Sequence, residues 1–140
     1  MTSLELFNAQ GLQLKIFRPT ESITIQITTV FNELISTDIA IVIENEKEQP
    51  LFCSHLSDST DCKKHEGSIT YSLVFDPNHL KVGNYKVSLA LFRPDLTAFY
   101  DVVLHFPAFE INGDGVLWHV PRDARWGDLY YPFKWSVIQN

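Results

Sequence analysis

Hydrophobic and polar positions alternate along most of this chain. Ile23, Ile25 and Ile27 alternate with Thr24, Gln26 and Thr28, and Ile39, Ile41 and Ile43 with Ala40, Val42 and Glu44. Ile69, Tyr71, Leu73 and Phe75 alternate with Ser68, Thr70, Ser72 and Val74. Tyr85, Val87, Leu89 and Leu91 alternate with Lys86, Ser88, Ala90 and Phe92. A last run sets Tyr100, Val102, Leu104 and Phe106 against Asp101, Val103 and His105, with the first four expected to face the core. A period of two is the signature of strands with one buried face. Leu51–Leu56 is a shorter, weaker strand, and Thr29–Thr37 admits one short turn. Turn-forming chemistry separates the runs at Asn45–Pro50, Asp58–Gly67, Asp76-Pro77-Asn78, Gly83-Asn84, Arg93-Pro94-Asp95 and Asn112–Gly115. Many short strands punctuated in this way predict an all-β, antiparallel sandwich of two sheets.

Length adds the domain count. The 140 residues suit one domain, 1–140, ending in an aromatic tail, 113–140. A net charge of -6 and scattered Lys and Arg discount nucleic acid and anionic membranes, which demand clustered positive charge. No segment is long and apolar enough to span a bilayer, and Met1–Asn8, with Glu5 and no basic start, is not a signal peptide. Cys53 and Cys62 flank a polar loop that a disulfide could close; two cysteines without an export signal favour free thiols. Phosphate-loop, dinucleotide, nucleophile-elbow and zinc-protease motifs are all missing, and the five histidines lie too far apart for metal spacing. Most acids, Glu44, Glu46, Glu48, Asp58 and Asp61 among them, read as solvated loop residues. The expectation is a non-catalytic protein with no cofactor and no metal.

The candidate chemistry concentrates in the tail. Trp118, Trp126 and Trp135 are the only tryptophans, with Tyr130 and Tyr131 between the last two and His119, Arg122, Asp123, Arg125 and Asp128 interleaved. A pyranose has an apolar face that stacks on a flat ring and a rim of hydroxyls that take paired hydrogen bonds from Asp and Arg. Trp126 and Tyr130 are the expected stacking rings; Trp118, His119, Arg122, Asp123, Arg125 and Tyr131 complete the tail set. Outward-facing small polar residues add Gln26, Thr28, Ser88 and His105. The alternative for the tail is packing: Val116, Trp118 and Val120 alternate like a last strand, and Phe133 and Trp135 suit a dimer seam. Both readings stand at this point.

The order of several motifs resembles a known family. Asp76-Pro77, Leu80, the G-x-Y-x-V strand Gly83-Asn84-Tyr85-Lys86-Val87, the D-x-V-x-x-F strand Asp101–Phe106 and Gly115-Val116-Leu117 are similar to the C-terminal domain of Wzt-type ATP-binding subunits. These belong to ABC exporters of bacterial O-antigen polysaccharide. The resemblance runs from about Ile23 onward. It implies an immunoglobulin-like β-sandwich that binds the non-reducing terminus of the exported polysaccharide. It also implies a homodimer with exchanged terminal strands, and a cytoplasmic place at the inner face of the inner membrane. The implied partners are the ATPase domain and the membrane subunit; the missing phosphate loop fits an isolated domain of a larger subunit. The rival expectation is a protein-interaction or dimerisation sandwich with no glycan ligand.

Overall fold

The computed structural model describes residues 2–77 and 80–113. Among these residues eight strands run in chain order: β1 (Ser3–Phe7), β2 (Ile16–Phe17), β3 (Ile23–Ser36), β4 (Asp38–Glu44), β5 (Pro50–His55), β6 (Lys64–Phe75), β7 (Gly83–Phe92) and β8 (Phe99–Ile111). They form a three-stranded sheet ordered β1-β3-β6 and a five-stranded sheet ordered β2-β8-β7-β4-β5. The expected all-β, two-sheet architecture is the one observed. All pairings are antiparallel except β2 with β8, where Ile16 and Phe17 run parallel to Glu110 and Ile111. Among the described residues no helix is long and apolar enough to cross a membrane.

The alternating isoleucines do what their period demands. Ile23, Ile25 and Ile27 of β3 meet Ile39, Ile41 and Ile43 of β4 and Val87, Leu89 and Leu91 of β7 in one core between the sheets. The G-x-Y strand contributes Tyr85, which stacks on Phe109 with centroids 5.2 Å apart and donates its hydroxyl proton to the Lys81 carbonyl at 2.6 Å. Burial of the ring is thus compatible with its polar tip.

The short N-terminal strands β1 and β2 are elements the sequence pattern does not predict. Two sequence expectations need correction. Thr29–Thr37 is no turn: β3 continues to Ser36, and Thr37 is buried before β4 begins. The second correction concerns β8. The register sets Phe99 against Phe92 but Asp101 against Leu91, Val103 against Leu89 but Phe106 against Val87, and Pro107 against Lys86 but Phe109 against Tyr85. Each step inserts one extra residue on β8, and each bulge shifts which face the following side chains take. Val103 therefore packs on the core, while Val102 and Leu104, expected inside, are 48% and 66% exposed. Tyr100 and Phe106 are exposed as well.

A 3₁₀ turn, Leu56–Asp58, leads from β5 toward β6. It is tied down by Asp38, whose Oδ1 accepts from the Ser57 and Ile39 amides at 3.0 and 2.8 Å and whose Oδ2 accepts from Ser57 Oγ at 2.7 Å. Cys53 and Cys62 are free thiols; burial, and then the nearby Asp38 carboxylate, push the Cys62 thiol above its ordinary pKa.

Candidate functional site

The sequence-derived outward residues fall on two faces that point away from each other. On the three-stranded sheet, cross-strand rows set Ser3, Thr28 and Thr70 side by side, then Glu5, Gln26 and Ser72. Here Thr28 Oγ1 and Thr70 Oγ1 share a hydrogen bond at 3.0 Å. Ser88 and His105 lie on the outside of the five-stranded sheet, with the core between them and Gln26 and Thr28. The four residues therefore do not make one surface. Trp118, His119, Arg122, Asp123, Arg125, Trp126, Tyr130 and Tyr131 lie outside the described residues.

The outer face of the five-stranded sheet has a floor of small side chains. Val102, Ala90, Ala40 and His55 form one row across four strands. Ser88, Val42 and Cys53 form the next, and Pro107, Lys86, Glu44 and Pro50 the third. Ala40, Ala90 and Ser88 thus put small side chains at the middle of this face.

Beside these rows five polar side chains converge. Ser88 Oγ donates to Glu44 Oε1 at 2.7 Å. The Nδ1 of His105 meets the same carboxylate oxygen at 3.1 Å, and its Nε2 faces Glu48 Oε2 at 3.4 Å. Lys86 Nζ donates to Glu48 Oε1 at 3.1 Å. The Glu44 side chain is only 5% exposed, whereas His105 and Glu48 remain open to solvent. A carboxylate that buried is tolerated because hydrogen-bond partners replace its water.

The backbone holds this cluster in an unusual way. Glu48, Leu96 and His105 are the non-glycine residues with positive φ among those described, at 64°, 63° and 55°. Two of the three, Glu48 and His105, contact each other here. His105 sits in the β8 bulge, where its freed amide donates to Ser88 Oγ at 2.9 Å. Glu48 sits in the β4–β5 turn, which Asn45 organises by accepting from the Lys47 and Gln49 amides. Left-handed backbone at a residue with a Cβ costs about 1–2 kcal/mol. Such strain gathers where a side chain must be aimed.

Sequence reasoning picked out Ser88 and His105 but missed Glu44 and Glu48, which it read as solvated loop acids. Glu44 is the last residue of a strand and is 4% exposed. Its alternation with Ile43 marks it as a strand position, yet only the register with Lys86 and Ser88 reveals its partners. Among the described residues no group of His, Cys, Asp or Glu is placed to hold a metal ion. What the cluster leaves open to solvent is the Glu48 carboxylate, the Lys86 ammonium and the His105 imidazole, held in place by the Ser88 hydroxyl and the buried Glu44 and lying beside an apolar floor.

The chain was compared with known proteins. No curated protein matches it in sequence. Its fold is similar to the crystal structure of the C-terminal domain of Wzt, with a TM-score of 0.67 at 12% identity, covering 98% of this chain and 84% of that one. At that identity the likeness concerns the fold. The family model described as the Wzt C-terminal domain matches residues 1–119. The chain therefore belongs to the Wzt C-terminal domain family.

Proposed function

We propose that this chain is a non-catalytic carbohydrate-binding domain with a Wzt-like role in O-antigen export, recognising the non-reducing terminus of the polysaccharide. The observation that carries the reading is the meeting of two strained residues, Glu48 and His105, over the buried carboxylate of Glu44. Five polar groups are held there in fixed positions with both hydrogen-bonding senses represented, as adjacent sugar hydroxyls require. Ala40, Val42, Ala90 and Val102, side by side on this face, are the proposed apolar bed for ring C–H groups. Trp126 and Tyr130 of the tail are the proposed stacking rings. Family membership supports the proposed substrate class and setting: an ABC exporter, with an ATPase domain and a membrane subunit as partners, at the cytoplasmic face of the inner membrane.

A second reading, a homodimer seam, is favoured by one specific observation. Val102 and Leu104 are exposed on a stretch of β8 that β2 does not reach, since β2 pairs only with Glu110 and Ile111. Edges of this kind invite another chain.

Titration calorimetry with O-antigen polysaccharide, paired with light scattering, tests both. His105→Gly keeps a backbone suited to the left-handed bulge and removes the imidazole; it is expected to lower glycan affinity at least ten-fold, about 1.4 kcal/mol, without changing particle mass. Gln26→Ala, on the opposite face, leaves affinity unchanged. Equal affinity of His105→Gly and the wild type refutes the site, and a fall in mass with affinity intact favours the dimer seam.

A further inference from the structure

The imidazole of His105 stands between two carboxylates, one at each ring nitrogen. Nδ1 lies 3.1 Å from Glu44 Oε1, and Nε2 lies 3.4 Å from Glu48 Oε2. A neutral imidazole has one N–H and one bare nitrogen, whereas an imidazolium has a proton on both. Either neutral tautomer therefore sets a bare nitrogen against an ionised carboxylate oxygen, lone pair to lone pair. Ser88 does not relieve this. Its hydroxyl proton goes to Glu44 Oε1 at 2.7 Å, and its oxygen takes the His105 amide proton at 2.9 Å. Charge balance agrees. Glu44 comes from β4, Glu48 from the β4–β5 turn and Lys86 from β7, with its Nζ 3.1 Å from Glu48 Oε1. Two carboxylates and one ammonium leave a net negative charge that an imidazolium cancels. Glu46 and Lys47 of the same turn are exposed and form no ion pair with the ring among the described residues. Between imidazole and carboxylate, the imidazole is intrinsically the stronger base.

We propose that His105 and its two carboxylates form a proton-operated latch between β8 and the β4–β5 turn. The charged ring donates to both acids and ties the turn to the β8 bulge. On losing its proton the ring keeps Nδ1–H on Glu44, the shorter and more buried contact, and Nε2 faces Glu48 bare. Glu48, which is exposed, then swings away. The latch is closed at low pH and opens as pH rises through the range in which histidine titrates. It belongs to the free protein, so an experiment without ligand tests it apart from the glycan reading.

Long-range proton–nitrogen NMR of the histidine rings, recorded with amide spectra of the whole chain between about pH 5 and pH 9, reads the latch. The expected result is a His105 ring protonated on both nitrogens at the acid end and on Nδ1 alone at the alkaline end. The Lys47, Glu48 and Gln49 amides shift with the same midpoint. Glu48→Gln offers its side-chain N–H to a bare Nε2, so the contact survives loss of the proton and the turn amides shift less than half as far as in the wild type. Shifts caused by the ring charge alone survive in that variant undiminished. A His105 ring that stays neutral throughout overturns the proposal. So do turn amides that do not follow His105, or a Glu48→Gln turn that responds as fully as the wild type.

Discussion

Asp38 is 6% exposed and carries a charge, so its surroundings must supply what water gave. Burial alone raises its pKa. The Ser57 hydroxyl, the Ser57 and Ile39 amides and the charge of His55 together outweigh that, and the carboxyl ends below its ordinary 3.8. A carboxyl whose folded pKa is depressed stabilises the fold at pH values above its unfolded pKa. That contribution fades as pH falls through the folded value. Asp38→Asn is therefore expected to be less stable than the wild type at pH 7 by about 2 kcal/mol. The gap should close as pH falls below about 4. Urea unfolding of both proteins between pH 7 and pH 3 measures it, and a gap constant across that range contradicts the account.

At the scale of elements, β8 is where local pattern and global fold diverge. By contrast β4, β7 and the first half of β3 were legible because their alternation matches the buried face; β3 loses it past Phe31, where its register shifts and where the sequence admitted a turn. On β8 the same alternation is broken by three bulges, none of which carries a glycine to announce it; the middle one leaves His105 at φ 55°. The cluster was half legible for the same reason. Ser88 and His105 stand out as polar residues on strands, but Glu44 adjoins the charged run Asn45–Pro50 and reads as part of it. The turn from β7 into β8 has a comparable cost without a comparable contact. Leu96 takes φ 63° while 65% exposed, with Arg93 N donating to Ala98 O at 2.8 Å across it. Left-handed backbone costs a non-glycine residue about 1–2 kcal/mol, of which glycine's extra chain entropy offsets about 0.5–1. Leu96→Gly should thus stabilise the domain by about 0.5 kcal/mol, raising the midpoint of thermal unfolding by about 2 °C. A midpoint at or below that of the wild type in calorimetry argues against strain at this turn.

At the scale of the molecule, the two sheets differ in what they present. Their inner faces are committed to an Ile-rich core, and their outer faces differ in kind. The three-stranded sheet presents rows of small hydroxyl and amide side chains, with Thr28 and Thr70 hydrogen-bonded to each other. The five-stranded sheet presents small residues leading to a fixed set of charged and polar groups. Only the second combines apolar side chains with polar ones on strained backbone, and the proposed glycan site lies on that face. The most direct test is amide chemical-shift mapping during titration with an O-antigen oligosaccharide that carries the native non-reducing end. The account predicts saturable shifts at Lys86, Ser88, Leu104, His105 and the 45–49 turn, with the Ser3, Gln26 and Thr28 face silent. Shifts confined to that opposite face, or none on the five-stranded sheet at saturating ligand, would contradict it.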